Sequence, residues 1–394
     1  MERIFRCASI PLPFKGTDQS VSPTRMAGGN PPDREHSGFA RSDFTDTPPP
    51  VATAVAGGIS GSRQPAGAPA RPTGAGVAYR PEIIRGIARE VERGAVAVVG
   101  MGFLLPGAEA HEERFWELLR TGEVAITKVP DRVWPPARFL DPSGTDPTRS
   151  YTDLGAFLPD RPFPARRFRI PPASVPLLDK NQCSALEAAA AALADAGNPQ
   201  EDPEIRRRTD VILGMAQGDD LRERTAARIM LDALERDGGM KLPLERLGFP
   251  LPQVREDSMP GELANVVAGR IAATFDLSGA NFTVDAACAG SLVALATAID
   301  RLRSGRADWI LSGGIDRNMG IAAYTKFCRL GALSRHGSFP FDRRADGFVM
   351  GEGGAVFVLR RLSDALRDGQ RIRAIILGAG TASDGRGKGI TAPN

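Results

Sequence analysis

Short apolar runs of strand length alternate with amphipathic helical patterns over most of this chain. Strands are expected at 95–101, 210–215, 281–285, 308–312, 355–359 and 372–377, and helices at about 83–91, 111–120, 182–196, 263–275 and 289–304. The run 95–101 is apolar throughout and rich in β-branched residues, which is typical of a strand covered on both faces of a sheet. The alternation predicts a layered α/β domain around a mainly buried, mixed or parallel sheet.

Composition indicates a globular protein and argues against a nucleic-acid partner and a membrane-spanning helix. Of 394 residues, 42% are hydrophobic and 25% are charged, which is close to the average for globular proteins. The formal net charge is only +3, and basic residues are interleaved with acidic ones, so no nucleic-acid partner is expected. The longest apolar runs are strand-sized, so no membrane-spanning helix is expected.

The number and spacing of the cysteines indicate a protein of a reducing compartment. They are Cys7, Cys183, Cys288 and Cys328, and they form no Cys-x-x-Cys pair and have no adjacent histidines. This spacing predicts neither a zinc site nor a disulfide framework. We therefore expect a cytoplasmic protein that binds no metal.

The first 80 residues differ in composition from the rest of the chain. They are rich in Pro, Gly, Ala, Ser and Thr and include the run Pro48-Pro-Pro50. Such a segment cannot bury enough apolar surface to offset its chain entropy. We therefore expect a disordered leader over 1–80, to which we assign no chemistry, and a folded domain over 81–394.

Two glycine-rich runs resemble nucleotide-binding motifs without meeting them. In Gly100-Met-Gly102-Phe-Leu-Leu-Pro-Gly107 the third glycine is displaced, and a proline breaks the helix that should follow. The run 385–391 lacks the first glycine of a phosphate loop and the hydroxyl residue that should follow its lysine. No bound nucleotide is expected.

Cys288 occupies the most informative segment of the chain. The strand at 281–285 ends in small residues, and the helix at 289–304 begins at once. Unpaired N–H groups and the helix dipole favour a thiolate at such a helix start, and a sharp turn presents the sulfur to substrate. An isolated cysteine among small residues is also typical of a buried core position. The local pattern alone leaves both interpretations open.

The run Val284-Asp-Ala-Ala-Cys288-Ala-Gly-Ser-Leu resembles the active-site motif of β-ketoacyl synthases, the ketosynthases of fatty acid and polyketide assembly. Other motifs of that family follow in the family's order and cover 95–394. They are the runs 98–107, 115–116, 129–134, 311–315, 333–334, 341–342 and 345–355.

This resemblance implies a thiolase-like, layered αβαβα enzyme, of which the chain supplies the N-terminal αβα half. Cys288 would accept an acyl chain as a thioester, and its backbone N–H would help to hold the thioester oxygen. A malonyl-type extender would then lose carbon dioxide, and its carbanion would attack that thioester to give a β-ketoacyl product. The partners implied are an acyl carrier protein bearing phosphopantetheine and a second copy of the chain. The chain itself would bind no cofactor.

Departures from the family pattern leave the subfamily open. Ala289-Gly290 replaces the commoner Ser-Ser and is more similar to synthases of polyunsaturated fatty acids or enediyne cores. Asp179-Lys-Asn-Gln-Cys183 matches the usual Asp-Pro-Gln-Gln-Arg block only in part, and Leu154-Gly-Ala-Phe157 replaces Gly-Gly-Phe. Acyl chain length, extender unit and subfamily are therefore not predicted.

The histidines do not match the family's catalytic ones. They are His36, His111 and His336, and none lies in a His-Gly-Thr or Asn-Ile-Gly-His setting. His36 lies in the expected leader, and we expect His111 and His336 to be solvated. We therefore expect the 394-residue chain alone to carry the nucleophile without performing condensation.

Three alternatives compete with this interpretation. The first is a non-catalytic fragment that keeps only carrier or dimer contacts, which the absent histidines favour. The second is a decarboxylase or chain-length-controlling relative, but those usually replace the cysteine. The third is a thiolase acting on coenzyme A thioesters, whose nucleophile lacks this sequence context.

Overall fold

The computed structural model describes residues 81–159, 161–216, 219–238 and 247–386. The expected leader over 1–80, with Cys7 and His36, lies outside the described residues, as does most of the run 385–391. The helices are α1 (Pro81–Glu92), α2 (Glu112–Thr121), α3 (Pro136–Phe139), α4 (Lys180–Asp195), α5 (Pro203–Arg207), α6 (Asp219–Gly238), α7 (Ser258–Glu262), α8 (Ala264–Phe275), α9 (Gly290–Arg303), α10 (Ile321–Arg329) and α11 (Leu362–Arg367). The strands are β1 (Val96–Leu104), β2 (Thr127–Lys128), β3 (Leu154–Gly155), β4 (Thr209–Gly214), β5 (Asn281–Val284), β6 (Trp309–Asp316), β7 (Gly353–Arg361) and β8 (Ala374–Ile376).

Six of the strands form one mixed sheet in the order β5-β4-β6-β7-β1-β8. Strand β4 is parallel to both β5 and β6, whereas β7 is antiparallel to β6 and to β1. Consequently β1, β4, β5 and β6 all end at the same edge of the sheet, and β7 begins there. We call this the carboxyl edge. The short strands β2 and β3 pair separately.

The sheet separates two helical layers. Val211 and Leu213 pack in the core that contains α4 and α8, whereas Ile212, between them, packs in the core that contains α9. This alternation follows from the two-residue period of a strand. The described residues therefore form the αβα layers expected from the sequence.

Helix α4 lies directly on β1 because β1 contains two glycines. A Cβ on Gly100 would sit 2.4 Å from the Ala192 carbonyl oxygen, and one on Gly102 would sit 2.2 Å from that of Ala188. Real side chains do not approach a backbone oxygen so closely, so both positions need glycine. The glycine pair that resembles a dinucleotide motif thus serves helix–sheet packing.

The type of every expected strand and helix is confirmed, although several bounds differ. Strand β6 continues to Asp316, and β7 runs from Gly353 to Arg361. Among the described helices of nine or more residues, periodicity missed α6 and α10. Helix α6 is highly charged, and side-chain pairs four residues apart support it, such as the ion pair between Arg228 and Asp232 at 2.8 Å. None of the helices within the described ranges has the length and apolar character needed to cross a membrane.

Candidate active site

Cys288 lies in a tight turn between β5 and α9. Residues Ala287–Ala289 form one 3-10 turn, and α9 begins at Gly290. Ala287 adopts a left-handed conformation with φ of 47°, which costs roughly 1–2 kcal/mol in a residue that has a Cβ. Its N–H donates to Asp285 Oδ1 at 3.0 Å, which fixes the turn. Strained backbone of this kind concentrates at functional sites.

Two glycines in the sheet allow the turn around Cys288 to fold back over the strand ends. A Cβ on Gly214, at the end of β4, would lie 2.2 Å from the Gly290 carbonyl carbon. A Cβ on Gly314, in β6, would lie 2.6 Å from the Ser291 Cβ. The start of α9 therefore crosses the carboxyl edge in direct backbone contact, and the sheet fixes the position of Cys288.

The Cys288 residue is exposed, and its backbone N–H has no hydrogen-bond acceptor among the described residues. The neighbouring N–H groups are occupied, because Ala289 donates to the Ala286 carbonyl and Gly290 to that of Ala287. A free N–H beside an exposed sulfur can stabilise an oxyanion that forms on a carbonyl attacked by that sulfur. The arrangement therefore suits acyl transfer to Cys288.

The other two cysteines of the described part lie in different surroundings. Burial raises the pKa of the Cys183 thiol to about 12. Cys328 is buried, with its Sγ 3.3 Å from the Ser150 hydroxyl. Among the three cysteines that the structure describes, only Cys288 is exposed. These surroundings agree with the sequence-based choice of Cys288, whose role as nucleophile stays a prediction.

Both described histidines are exposed, as expected. His111 precedes α2, and its side chain makes no capping hydrogen bond. His336 makes a hydrogen bond that was not predicted, because its Nδ1 lies 2.8 Å from Asp346 Oδ2. Hydrogen bonds from Ser334 and His336 lower the pKa of Asp346. No hydrogen bond connects either imidazole with Cys288 in the described ranges.

A buried ion pair at the carboxyl edge was not predicted from the sequence. Glu352 lies in the run 345–355 that carries the family resemblance, but no role was assigned to it. Its side chain is 0% exposed, and its Oε2 lies 2.6 Å from Arg317 Nη2. The same carboxylate oxygen accepts the Leu158 N–H at 3.2 Å. A glutamate between glycines gives no sequence signal of burial, because charged residues are ordinarily exposed.

Comparison with protein families identifies the relatives of this arrangement. The family model described as "Beta-ketoacyl synthase, N-terminal domain" matches residues 93–365. The chain is 34% identical over 307 residues to one component of the polyunsaturated fatty acid synthase of Thraustochytrium sp., covering 76% of this chain and 11% of that protein. It is 36% identical over 315 residues to one component of the phenolphthiocerol/phthiocerol polyketide synthase of Mycobacterium bovis, covering 77% and 15%.

Solved structures give the same relationship. An oxazolomycin ketosynthase domain from Streptomyces albus superposes with a TM-score of 0.65 at 26% identity, covering 76% of this chain and 48% of that domain. The module 6 ketosynthase of the bacillaene synthase from Bacillus subtilis gives 0.61 at 29% identity, covering 76% and 46%.

The chain thus spans slightly less than half of each solved ketosynthase and a small fraction of each synthase component. This coverage agrees with the αβα layers seen here, which correspond to one half of the thiolase-like fold. The motifs, the fold and the family match agree: the chain belongs to the β-ketoacyl synthase family, which it matches through that family's N-terminal domain.

Proposed function

We propose that Cys288 is the nucleophile that accepts the acyl chain in a decarboxylative condensation of fatty acid or polyketide biosynthesis. The observation that carries the proposal is the position of Cys288, which is exposed at the carboxyl edge in a turn fixed against Gly214. Its own N–H has no acceptor in the part of the chain that the structure describes. Its thiolate would attack the thioester carbonyl carbon, forming a new carbon–sulfur bond. The bond to the carrier's sulfur would break, and that thiol would leave with the proton from Cys288. One oxyanion donor such as the Cys288 N–H contributes about 3 kcal/mol.

The second step consumes the acyl group held on Cys288. A malonyl-type thioester loses carbon dioxide, and the carbanion attacks the acyl carbonyl, which returns the thiolate and gives a β-ketoacyl product. The developing enolate needs positioned hydrogen-bond donors. We assign neither His111 nor His336 to this role, because both are exposed and His336 is engaged with Asp346.

An acyl carrier protein is the proposed source of both substrates. Its phosphopantetheine arm would bring the thioester to the exposed sulfur of Cys288, so the chain needs no resident cofactor for this step. A reducing cytoplasm would keep Cys288 as a free thiol. The matched relatives named above are components of polyunsaturated fatty acid and polyketide synthases, which supports this class of substrate.

A homodimer through β5 is the second proposed partnership. Strand β5 is at one end of the sheet, and the Val211 and Met215 N–H groups bond to the Ala280 and Val284 carbonyls. Alternation then directs the N–H and C=O groups of the intervening Thr283 away from β4. An open strand edge of this kind favours pairing with another strand. Pairing with the same strand of a second copy would join both sheets and bring the two nucleophile turns to one interface.

Intact-protein mass spectrometry tests the acyl transfer. The protein is incubated with acyl-carrier protein or an acyl N-acetylcysteamine thioester, and the mass increase is mapped to a peptide. Transfer to Cys288 that is lost in Cys288→Ala and retained in Cys183→Ala supports the proposal. Carrier binding without any transfer would instead favour the non-catalytic fragment.

A further inference from the structure

Five charged residues lie together at the carboxyl edge, and most of their side-chain surface is buried. This edge cluster consists of Lys180, Asp220, Arg224, Arg317 and Glu352. The side chains of Asp220 and Arg224 are 19% and 14% exposed, and those of Arg317 and Glu352 are 16% and 0% exposed. Charged groups are rarely so buried unless they are paired or functional.

Four members of the edge cluster are paired, and Lys180 is the exception. Arg224 Nε lies 3.0 Å from Asp220 Oδ1, and Arg317 Nη2 lies 2.6 Å from Glu352 Oε2. No ion pair of Lys180 within 4.0 Å is found among the described residues. Burial lowers the pKa of Lys180, while the charges of Asp220 and Glu352 oppose that change. The charges of both carboxylates, each already paired with an arginine, therefore act on the Lys180 amine.

The next residue along α4 has unused hydrogen-bonding capacity. Asn181 is 1% exposed, and neither its amide nitrogen nor its amide oxygen has a partner in the described structure. Leaving such a buried group unsatisfied costs about 1–3 kcal/mol. Residues Lys180 and Asn181 precede Ser184 by four and three positions, so all three share one side of α4. The Ser184 hydroxyl lies 3.2 Å from Arg317 Nη1, which places that side against the edge cluster.

The edge cluster and the nucleophile lie at the same edge of the sheet. Helix α6, with Asp220, follows β4, Arg317 follows β6, and Cys288 follows β5. Ligands of open α/β sheets bind outside the carboxyl ends of the strands. A Cβ on Gly320 would sit 2.6 Å from Asp220 Oδ1, so the segment after β6 packs against α6. The polar edge cluster and Cys288 therefore share the edge at which such ligands bind.

We propose that Lys180 and Asn181 form a polar subsite for an oxygen-bearing substituent of the acyl chain held on Cys288. The inference rests on the proposed acyl transfer and adds a substrate class: acyl groups that carry a hydroxyl or keto oxygen. Such an oxygen accepts hydrogen bonds from the Lys180 amine and the Asn181 amide. A saturated chain of the same length would satisfy neither group, and sites built around a hydrogen bond reject such analogues strongly.

The test compares acylation of Cys288 by matched thioesters in the full chain. The probes are octanoyl N-acetylcysteamine, three octanoyl analogues with one hydroxyl at carbon 3, 5 or 7, and the acetyl thioester as a short reference. Acylation rates are measured by intact mass. At least one hydroxylated probe is expected to react about tenfold faster than octanoyl, a preference that corresponds to one well-placed hydrogen bond.

Variants assign that preference to the subsite. Lys180→Met and Asn181→Leu are each expected to reduce it severalfold while the acetyl rate stays unchanged, and Lys180→Arg is expected to keep it. The control is Lys128→Met, at a lysine whose side chain is 80% exposed. Thermal unfolding shows whether each variant is folded. If Lys180→Met does not fold, the result for Asn181→Leu is used to test the subsite.

Equal rates for octanoyl and every hydroxylated probe, or an unchanged preference in the folded variants, would overturn the subsite. Failure of all five thioesters to acylate Cys288 would overturn the proposed function and the subsite with it.

Discussion

Gly290 packs its backbone against Gly214 so closely that a Cβ on Gly214 would lie 2.2 Å from the Gly290 carbonyl carbon. This contact connects the first residue of α9 with the last residue of β4. Because Cys288 is two residues before Gly290, the sheet sets the position of the candidate nucleophile. The left-handed Ala287 completes the turn on the other side of the cysteine.

Gly214→Ala is expected to displace the start of α9. The new methyl group would overlap backbone atoms that cannot rotate away, and such overpacking costs about 1–3 kcal/mol in the free energy of unfolding. Alkylation of Cys288 by iodoacetamide should change in rate as well. The control is Gly86→Ala in α1, where a Cβ would meet nothing within 4 Å. Chemical unfolding and peptide mapping measure both effects, and wild-type stability together with wild-type alkylation in Gly214→Ala would contradict the account.

Cys288 should be the first of the described cysteines to be alkylated at neutral pH. It is exposed at a helix start, whereas burial raises the pKa of Cys183 to about 12 and leaves it almost entirely as the unreactive thiol. Cys328 is buried and should react slowly as well. Mass mapping after brief iodoacetamide treatment measures the three rates. Equal labelling of Cys183 and Cys288 in folded protein would contradict the assignment.

The strand–turn–helix around Cys288 was predictable because its signals are local. Small residues follow an apolar strand, and Leu292, Leu295 and Ile299 then recur at helical spacing. The contact between Gly214 and Gly290 was not predictable in this way. It depends on how α9 crosses the ends of β4 and β6, which no single segment specifies.

The edge cluster was missed for a related reason. Lys180 and Asn181 appear in the sequence only as departures from a family block, and Arg317 and Glu352 appear as ordinary charged residues. Their burial results from convergence of α4, β6 and β7 at one edge. Charge in a sequence predicts exposure by default, so a buried polar cluster becomes visible only in three dimensions.

Replacing either described histidine should leave acylation of Cys288 unchanged. His111→Ala removes an exposed side chain without a capping bond, and His336→Ala removes one hydrogen bond to Asp346. Changes at such exposed positions usually alter stability by less than about 0.5 kcal/mol. The rate of acyl loading and the release of carbon dioxide from malonyl-carrier protein are measured separately. We expect loading without appreciable release, and a tenfold loss of loading in folded His336→Ala would show that this histidine acts on the thiol.

Thr283→Pro should convert the proposed dimer to monomers. Proline removes the Thr283 N–H, which alternation in β5 directs away from β4, so the bonds within the sheet are kept. Thr283→Val keeps the N–H and serves as the control. Sedimentation velocity measures the oligomeric state, and circular dichroism checks the fold. A Thr283→Pro protein that stays dimeric would place the interface elsewhere.

Asp179 should make the protein less stable at neutral pH than at mildly acidic pH. Its side chain accepts the Asn181 N–H at the start of α4, and burial raises its pKa to about 6 from the usual 3.8. Between these two values the folded state binds more protons than the unfolded state. The free energy of unfolding therefore falls as pH rises through this window, and the loss at pH 7 amounts to about 3 kcal/mol.

Asp179→Asn is the variant that tests this dependence, because asparagine also caps helices and carries no charge. It should be more stable than the wild type by up to about 3 kcal/mol at pH 7, and this advantage should shrink as pH falls toward 4. Urea unfolding at about pH 4.5, 5.5 and 7 measures the difference. The matched control is Asp202→Asn, at the exposed cap of α5, which should change stability by less than about 0.5 kcal/mol throughout. An Asp179→Asn protein that is less stable than the wild type at pH 7 would mean that the ionised carboxylate is favourable to the fold, despite its burial.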